Sequence, residues 1–168
     1  LKTKLGKDYE KVCKLWYEIM SHDKEVVTLK TGVKPVLDFF TELKLPMAVA
    51  TSSNTAHAEQ RLAQADIKKY FRIVIGGDQV ERPKPFPDIY KRTAELLKIN
   101  PKNCIAFEDS PAGTKSAIKS GCVTVQIPDL LPPDAEMLSL GHKIAPNLVS
   151  AISELGFNIS IYKKVYNG

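Results

Sequence analysis

The stretch NCIAFEDSPAGTKSAIKSGCVTVQIPD, residues 103–129, contains the pattern that decides the fold. It opens with a short apolar run that ends in two adjacent carboxylates, Glu108 and Asp109, and it closes with a second apolar run at 122–129. The residues between the two runs have the length of a helix, which Gly121 is expected to end as its C-cap. The stretch therefore predicts a strand–helix–strand unit with an acidic pair at the end of its first strand.

The same alternation continues on both sides of this unit. Apolar runs at 46–54 and 71–78 precede segments of helical character, and a further short run falls at 142–147. The helices expected around these runs cover 33–43, 55–65, 88–98 and 148–155. Strands that alternate with helices of this length predict an α/β fold with a doubly wound, Rossmann-like parallel sheet.

Composition and charge narrow the function classes. The chain has 168 residues, of which 43% are hydrophobic and 26% charged, which suits one globular domain or one domain with a fragment of a second. The net charge of +5 comes from scattered lysines without an aromatic stacking motif, which disfavours nucleic acid as a partner. No apolar run approaches the roughly 20 residues of a membrane span. The basic balance therefore indicates either solubility or a mild attraction for small anionic molecules.

The cysteines give no metal or disulfide pattern in the sequence. Cys13, Cys104 and Cys122 are odd in number, lie far apart in the chain and form no C-x-x-C pair. We interpret them as buried thiols in a protein of a reducing compartment, which predicts a cytoplasmic location.

Polar residues follow three of the predicted strands, at the edge where open parallel sheets bind their ligands. The hydroxyl cluster TSSN at 51–54 follows the first strand, the triplet GGD at 76–78 follows the second, and the acidic pair follows the third. A hydroxyl cluster before a helix is often no more than an N-cap. The amides at such a helix end also suit a phosphate.

One cation stands out in the loop RPKPFPD at 82–88, where prolines restrict the backbone around Lys84. The loop reads either as a rigid surface turn or as a support that holds an ammonium group ready for an anion. Asp88 is expected to cap the helix that follows. Hydroxyls, a lysine and hard carboxylates are together what phosphoryl transfer requires, with Mg²⁺ bound by the carboxylates.

Three motifs, MAVATSSN, RPKPFPDIY and CIAFEDSPAGTKSAIKSG, resemble the second, third and fourth motifs of the haloacid dehalogenase (HAD)-like hydrolase superfamily. Within it, the chain resembles the helical-cap subgroup of β-phosphoglucomutase-like and pseudouridine-phosphatase-like phosphatases. The resemblance covers about residues 25–150. It implies a Rossmann-like core, Mg²⁺ dependence and an aspartyl-phosphate intermediate.

The resemblance also implies a role for each candidate residue. By position, Thr51 and the backbone amide of Ser52 would hold the phosphoryl group. Lys84 would bind both the phosphate and the nucleophile, so that Thr51 and Lys84 are the catalytic candidates. Glu108 and Asp109 would bind Mg²⁺.

The same resemblance divides the chain into part of a cap and a core. It also shows one departure of the sequence from the family's pattern. Residues 1–26, with a helix at 7–20, would be the C-terminal part of a helical cap, and residues 27–168 a HAD-like core without its first strand. The family's nucleophile and general acid–base are the two aspartates of a D-x-D-G-[TS] motif, and no D-x-D occurs in the sequence. We therefore expect the nucleophile upstream of Leu1, a sheet without one central strand, and a chain that is inactive alone. The tail at 159–168 is expected to be peripheral.

The sequence as a whole favours a Mg²⁺-dependent phosphohydrolase of a small phosphorylated metabolite. We expect a monomer or weak dimer with no nucleic-acid or membrane partner. A phosphomutase of the same family and a catalytically inactive phosphate-binding fragment stay open as alternatives.

Overall fold

The computed structural model describes residues 27–129 and 132–157. Its helices in chain order are α1 Val33–Glu42, α2 Thr55–Gln64, α3 Asp88–Leu97, α4 Pro111–Ser120, α5 Ala135–Ser139 and α6 Leu148–Glu154. Its strands are β1 Met47–Ala50, β2 Phe71–Ile75, β3 Ile105–Glu108, β4 Val123–Gln126 and β5 Lys143–Ile144. Short 3₁₀ segments lie at Lys68–Tyr70, Gly77–Gln79 and Pro101–Asn103. Within these described ranges, no helix has both the length and the apolar character needed to cross a bilayer.

The predicted alternation of strands and helices is confirmed, and the strands are shorter than the apolar runs that indicated them. The run at 46–54 yields only the four residues of β1, because its hydroxyl cluster lies in the loop before α2. The five-residue helix α5 was not predicted, since it is too short to show a helical period. The predicted helix at 7–20, residues 1–26 as a whole and the tail at 159–168 lie outside the described residues.

The strands are parallel and form two hydrogen-bonded groups. Strand β1 pairs with β2, so that Ala50 lies opposite Ile75. Strand β4 lies between β3 and β5, with Ile105 opposite Val123. No strand pairing joins β1 to β3 among residues 27–129 and 132–157. Side-chain contacts, rather than a backbone ladder, therefore connect β1 to β3.

One face of the strands is covered by α1 and α6. Val36, Phe39 and Phe40 of α1 are buried together with Ile152 of α6. The ring of Phe40 stacks on that of Phe107 in β3, with centroids 6.3 Å apart, and Met47 of β1 packs against the same cluster. Helix α1 thus spans both groups of strands. The helix predicted at 33–43 ends one residue earlier, and Leu43 is exposed beyond its last turn.

The other face of β3 carries α3 and α4. Successive side chains of a strand point to opposite faces, so Glu108 lies on the face opposite Phe107. Its carboxylate contacts Tyr90 in α3 and lies against Gly113 in α4. Helix α4 begins at the N-cap Ser110 with Pro111 in its first turn. Gly121 ends it with a φ of 93°, which confirms the predicted C-cap. The strand–helix–strand unit at 103–129 therefore places Glu108 between two helices.

The α1–α6 cluster is expected to carry much of the stability of this face. Ile152→Ala removes a side chain that is 0% exposed. We expect a loss of about 2–5 kcal/mol in the free energy of unfolding, because the cavity left among Phe39, Phe40 and Val36 cannot close completely. Urea unfolding of the purified chain measures it. Leu138→Ala, at a side chain that is 58% exposed, is the control and should change the same quantity by less than about 0.5 kcal/mol.

Candidate active site

A cavity of about 820 Å³ opens where β1 and β3 end. All of the sequence-predicted site residues line it, which are Thr51, Ser52, Lys84, Glu108 and Asp109. They come from three separate parts of the chain, namely the loop after β1, the proline-rich loop before α3 and the end of β3. This convergence follows from parallel pairing, because the carboxyl ends of parallel strands lie at one edge.

The side chain of Lys84 connects the β1–β2 group of strands to the group formed by β3, β4 and β5. Its ammonium group donates to the backbone carbonyl of Ala50 at 3.0 Å and to Glu108 Oε1 at 2.5 Å. The Lys84 and Glu108 side chains are only 9% and 5% exposed. A buried ion pair needs further hydrogen bonds to offset the desolvation of its charges. The Ala50 carbonyl supplies one of these bonds and ties the end of β1 to the end of β3.

Glu108 is held from several sides. The phenol of Tyr90 donates to the same Oε1 that accepts from Lys84. Burial, and then the neighbouring Glu108 carboxylate, raises the pKa of Tyr90, so the phenol keeps its proton and stays a donor. The Ser110 hydroxyl lies 3.4 Å from Oε2. Glu108 is thus the buried counter-ion of Lys84, held in place by a phenol and a helix N-terminus.

The remaining residues of the EDSPAG motif explain how a helix can begin directly beside a buried carboxylate. Ser110 Oγ accepts from the Gly113 amide at 3.1 Å, which caps α4. A Cβ added to Gly113 would lie 1.9 Å from Glu108 Oε2. Only glycine leaves room there for the carboxylate.

Asp109 differs from its neighbour in burial. It follows the last residue of β3 and is exposed, and it lines the same cavity as Lys84. Carboxylate oxygens are the ligands that Mg²⁺ prefers, and the ion usually keeps several waters. Glu108 and Asp109 therefore fit as two ligands for Mg²⁺. No group of three or more acidic, histidine or cysteine side chains in the described ranges offers a fuller metal site.

The loop after β1 presents hydroxyls to the cavity. The Thr51 amide donates to the Ile75 carbonyl at 2.9 Å, which extends the β1–β2 pairing by one residue. Thr51 Oγ1 accepts from the Ser53 amide at 3.1 Å and still has its own proton to donate to a ligand. Ser52 is exposed beside it. The predicted capping function belongs to Asn54, whose side chain accepts from the Ala56 amide.

The GGD triplet at 76–78 has a structural part in this arrangement. Asp78 Oδ1 accepts from the Thr55 amide at 2.7 Å and from the Thr55 hydroxyl at 2.8 Å. A Cβ on Gly76 would lie 2.3 Å from the Thr55 nitrogen, so glycine is needed where β2 ends against the start of α2. The triplet joins the loop after β2 to the first turn of α2 and so supports the loop that carries Thr51.

Two site features could not be found from the sequence, and one prediction was wrong. Tyr90 reads as an ordinary position of an amphipathic helix, and only packing brings it to Glu108. Lys30 and Asp129 form an ion pair at the cavity and are both exposed. Asp88 does not cap α3, because its carboxylate accepts from Arg82 at 2.7 and 2.8 Å instead.

Parallel strands that bring polar residues from separate loops to one carboxyl edge define the class of Rossmann-like α/β proteins. Within this class the chain belongs to the haloacid dehalogenase-like hydrolases, whose family model matches residues 2–127. The predicted family is confirmed. Neighbouring structures include HAD hydrolases and β-phosphoglucomutase-like proteins, which agrees with the helical-cap subgroup.

The chain is similar in sequence to curated phosphatases. The phosphorylated carbohydrates phosphatase of Thermotoga maritima is 36% identical over 97 residues, which are 58% of this chain and 45% of that protein. The fructose-1-phosphate phosphatase of Escherichia coli is 37% identical over 82 residues, 49% of this chain and 44% of that protein. The chain spans about half the length of these curated relatives.

Solved structures agree with this fold. A Thermotoga maritima structure assigned as a β-phosphoglucomutase superposes with a TM-score of 0.68 at 29% identity, over 76% of this chain and 61% of that one. A HAD family hydrolase of Deinococcus radiodurans, with bound phosphate and sodium, gives a TM-score of 0.69 at 24% identity, over 89% of this chain and 69% of that one. The second likeness shows the fold alone.

Gly113→Ala tests the packing of the Glu108 carboxylate. Alanine inside a helix is ordinarily favoured over glycine by about 1 kcal/mol. Here we expect the opposite sign, a loss of about 1–3 kcal/mol in the free energy of unfolding, because the added methyl group would meet Glu108 Oε2. Chemical unfolding measures the effect. In a Glu108→Ala background the same change should cost much less, and stabilisation of the otherwise wild-type chain by Gly113→Ala would contradict the packing argument.

Asp78 gives a pH-dependent test of the β2–α2 junction. Hydrogen bonds from Thr55 hold the pKa of Asp78 below its usual value. A carboxyl group whose pKa is lowered by folding stabilises the protein above its unfolded-state pKa, and this contribution is lost as the pH falls through the folded-state value. Asp78→Asn should therefore lower the thermal midpoint at pH 7 by about 2–4 °C, and the difference should shrink below about pH 4. The exposed Glu42→Gln is the control, and a difference that is as large at pH 3 as at pH 7 would count against this role.

Proposed function

We propose that the protein carrying this chain is a Mg²⁺-dependent phosphohydrolase of small phosphorylated carbohydrates or similar metabolites. The observation that supports it best is the convergence of Thr51, Lys84 and Asp109 on one cavity at the ends of two parallel strands. Relatives whose names state sugar-phosphate phosphatase activity support the phosphohydrolase class in general. The substrate itself is left open, because the cap of such enzymes takes a large part in selecting it.

The loop after β1 would bind the substrate's phosphoryl group. The Thr51 hydroxyl, which accepts one internal hydrogen bond, can donate its proton to a phosphate oxygen. The backbone amide of Ser52, in the loop that leads to α2, would add a second donor. These donors orient the phosphoryl group between the ends of β1 and β3.

Lys84 would neutralise the charge that develops on the phosphoryl oxygens. Its ammonium group already lies between Ala50 and Glu108, so little reorganisation is needed when the substrate binds. Glu108 and Tyr90 keep it there. A cation that is already held in place stabilises developing charge better than a mobile surface lysine does.

Glu108 and Asp109 would hold Mg²⁺ through their carboxylate oxygens. When bound, the ion supplies charge stabilisation to the phosphoryl group. Asp109, exposed at the cavity, is the more accessible of the two carboxylates. Glu108 would combine this role with that of counter-ion to Lys84.

The nucleophile would be an aspartate that forms an aspartyl-phosphate, as the family resemblance implies. Because no D-x-D occurs in the 168 residues, the proposal applies to a protein in which this chain is joined to that motif, and the chain by itself would not turn over substrate. Residues 1–26 would then belong to a helical cap that excludes water, and residues 27–168 to the core. We further propose a cytoplasmic monomer or weak dimer.

Phosphate release tests the assignment directly. The parent protein should release phosphate from sugar phosphates with Mg²⁺ and lose this activity with a chelator. Lys84→Ala and Asp109→Asn should each lower kcat by about 100-fold or more. Lys91→Ala and Asp66→Asn, both at exposed positions, are the matched controls and should leave kcat unchanged. Activity that is unaffected by both site variants would overturn the proposal.

The two site variants need a folding control. Lys84→Ala can also unfold the chain, because it leaves Glu108 buried without its cation, so circular dichroism accompanies the assay. Asp109 is exposed, and its variant should keep the wild-type spectrum.

Two further measurements separate the alternative functions. Binding of inorganic phosphate without turnover would indicate an inactive phosphate-binding protein. Isomerised sugar phosphate formed in the presence of a sugar bisphosphate would indicate a phosphomutase, which the likeness to the Thermotoga maritima structure favours as the second candidate.

A further inference from the structure

Two cysteines that are far apart in sequence lie side by side at the other edge of the strands. Cys104 directly precedes β3 and Cys122 directly precedes β4. The pairing of Ile105 with Val123 places the two cysteines opposite each other, and the Val123 amide donates to the Cys104 carbonyl at 2.9 Å. Four residues of strand, about 13 Å, separate this pair from the end of β3 where Glu108 lies.

The two thiols interact with each other and with neighbouring polar groups. Cys122 Sγ lies 3.2 Å from Ser120 Oγ, and the Cys104 thiol donates to the Asn100 carbonyl over 3.6 Å. Both cysteines are partly exposed and free in the described structure. The interpretation of these residues as buried thiols is therefore wrong in its degree of burial.

We propose that Cys104 and Cys122 form a dithiol site that a low-molecular-weight disulfide oxidises reversibly to an intramolecular disulfide across the starts of β3 and β4. This inference does not rest on the proposed function.

The distance that a disulfide requires between its two Cα atoms is the distance that paired strands provide. Adjacent strands lie about 4.8 Å apart, and a disulfide joins Cα atoms that are roughly 4.4–6.8 Å apart. Opposed positions in paired strands fall within this range without movement of the backbone. Both residues directly precede their strands, Cys104 after the 3₁₀ segment Pro101–Asn103 and Cys122 after Gly121, the cap of α4.

The chemistry balances as two successive exchange reactions. The Cys122 thiolate attacks one sulfur of oxidised glutathione, breaks its S–S bond and releases one glutathione thiolate. Cys104 then attacks Cys122 Sγ in the mixed disulfide and releases the second glutathione. The two protein thiols lose two electrons and two protons, and oxidised glutathione gains them as two molecules of the reduced thiol.

The environment favours Cys122 as the first nucleophile. Burial raises the pKa of both thiols, so the pair is largely protonated at neutral pH and reacts faster as the pH rises. The Ser120 hydroxyl, which donates to Cys122 Sγ, lowers the pKa of Cys122 in part, whereas the neighbouring Cys122 raises that of Cys104 further.

The crosslink would close a segment of the chain that contains the acidic motif. The 19 residues from Cys104 to Cys122 include β3, Glu108, Asp109 and α4. Closing a loop of this size restricts the unfolded chain and should raise the thermal midpoint by roughly 5–10 °C. Oxidation would therefore stabilise the strand–helix–strand unit from the edge opposite Lys84.

The test uses the full 168-residue chain with Cys13→Ser, since Cys13 lies outside the described residues. The reduced chain is incubated with oxidised glutathione, alkylated and digested with trypsin without reduction. We expect the peptides 103–115 and 120–143 to appear joined, with a mass lower by two hydrogen atoms than their sum, and to separate on treatment with dithiothreitol. The thermal midpoint should rise on oxidation and return on reduction.

Single variants distinguish the disulfide from unrelated thiol modification. Cys104→Ser and Cys122→Ser, each in the same background, should show neither the joined peptides nor the rise in midpoint. The proposal is overturned if both cysteines of the unvaried pair take up glutathione separately, if both stay reduced, or if the joined peptides come only from chains linked to one another.

Discussion

Lys84, which donates to both Ala50 and Glu108, joins the carboxyl ends of β1 and β3, while the α1 cluster spans the same two strands on the other face. In the described residues no strand pairing joins these two strands, so side chains must supply what backbone ladders supply elsewhere. Burying two charges costs several kcal/mol per ion unless their hydrogen-bonding capacity is filled. The Ala50 carbonyl fills part of it on the lysine side and the Tyr90 phenol on the glutamate side. The N-terminus of α4 adds its positive end beside the carboxylate. The contacts that join the ends of these two strands therefore also place an ammonium group at the cavity.

The adjacent acids of the EDSPAG motif differ in environment because of the strand period. Glu108 is the last residue of β3 and points between α3 and α4, where Gly113 leaves it room. Asp109 lies one residue beyond the strand and is exposed at the cavity. Two like charges can be neighbours in sequence at small cost, because one is neutralised by a buried lysine and the other is solvated. The pair thus combines a structural counter-ion with an open carboxylate, which is a suitable combination for a site that handles an anion and a cation together.

Much of the candidate site could be predicted because parallel strands bring their carboxyl ends to one edge. Thr51, Lys84 and the acidic pair line one cavity for that reason, although Thr51 and Glu108 are 57 positions apart in the sequence. Tyr90 could not be identified, since a helical period shows that a residue is buried but not which group it meets. The capping role expected of Asp88 was wrong because a nearby guanidinium, Arg82, competes for its carboxylate. The closeness of Cys104 and Cys122 depends on strand register, which their spacing in the sequence does not reveal.

The sequence by itself determined the features that arise within a few residues of chain: the alternation of strands and helices, the Gly121 cap, and the polar residues at the strand ends. Local hydrogen bonds and side-chain periods encode these features. Only the tertiary structure decided which strands are neighbours, that Glu108 pairs with Lys84, and that two distant cysteines lie opposite each other. Such contacts join residues far apart in the chain. They form only where packing of the whole core repays the entropy of bringing those residues together.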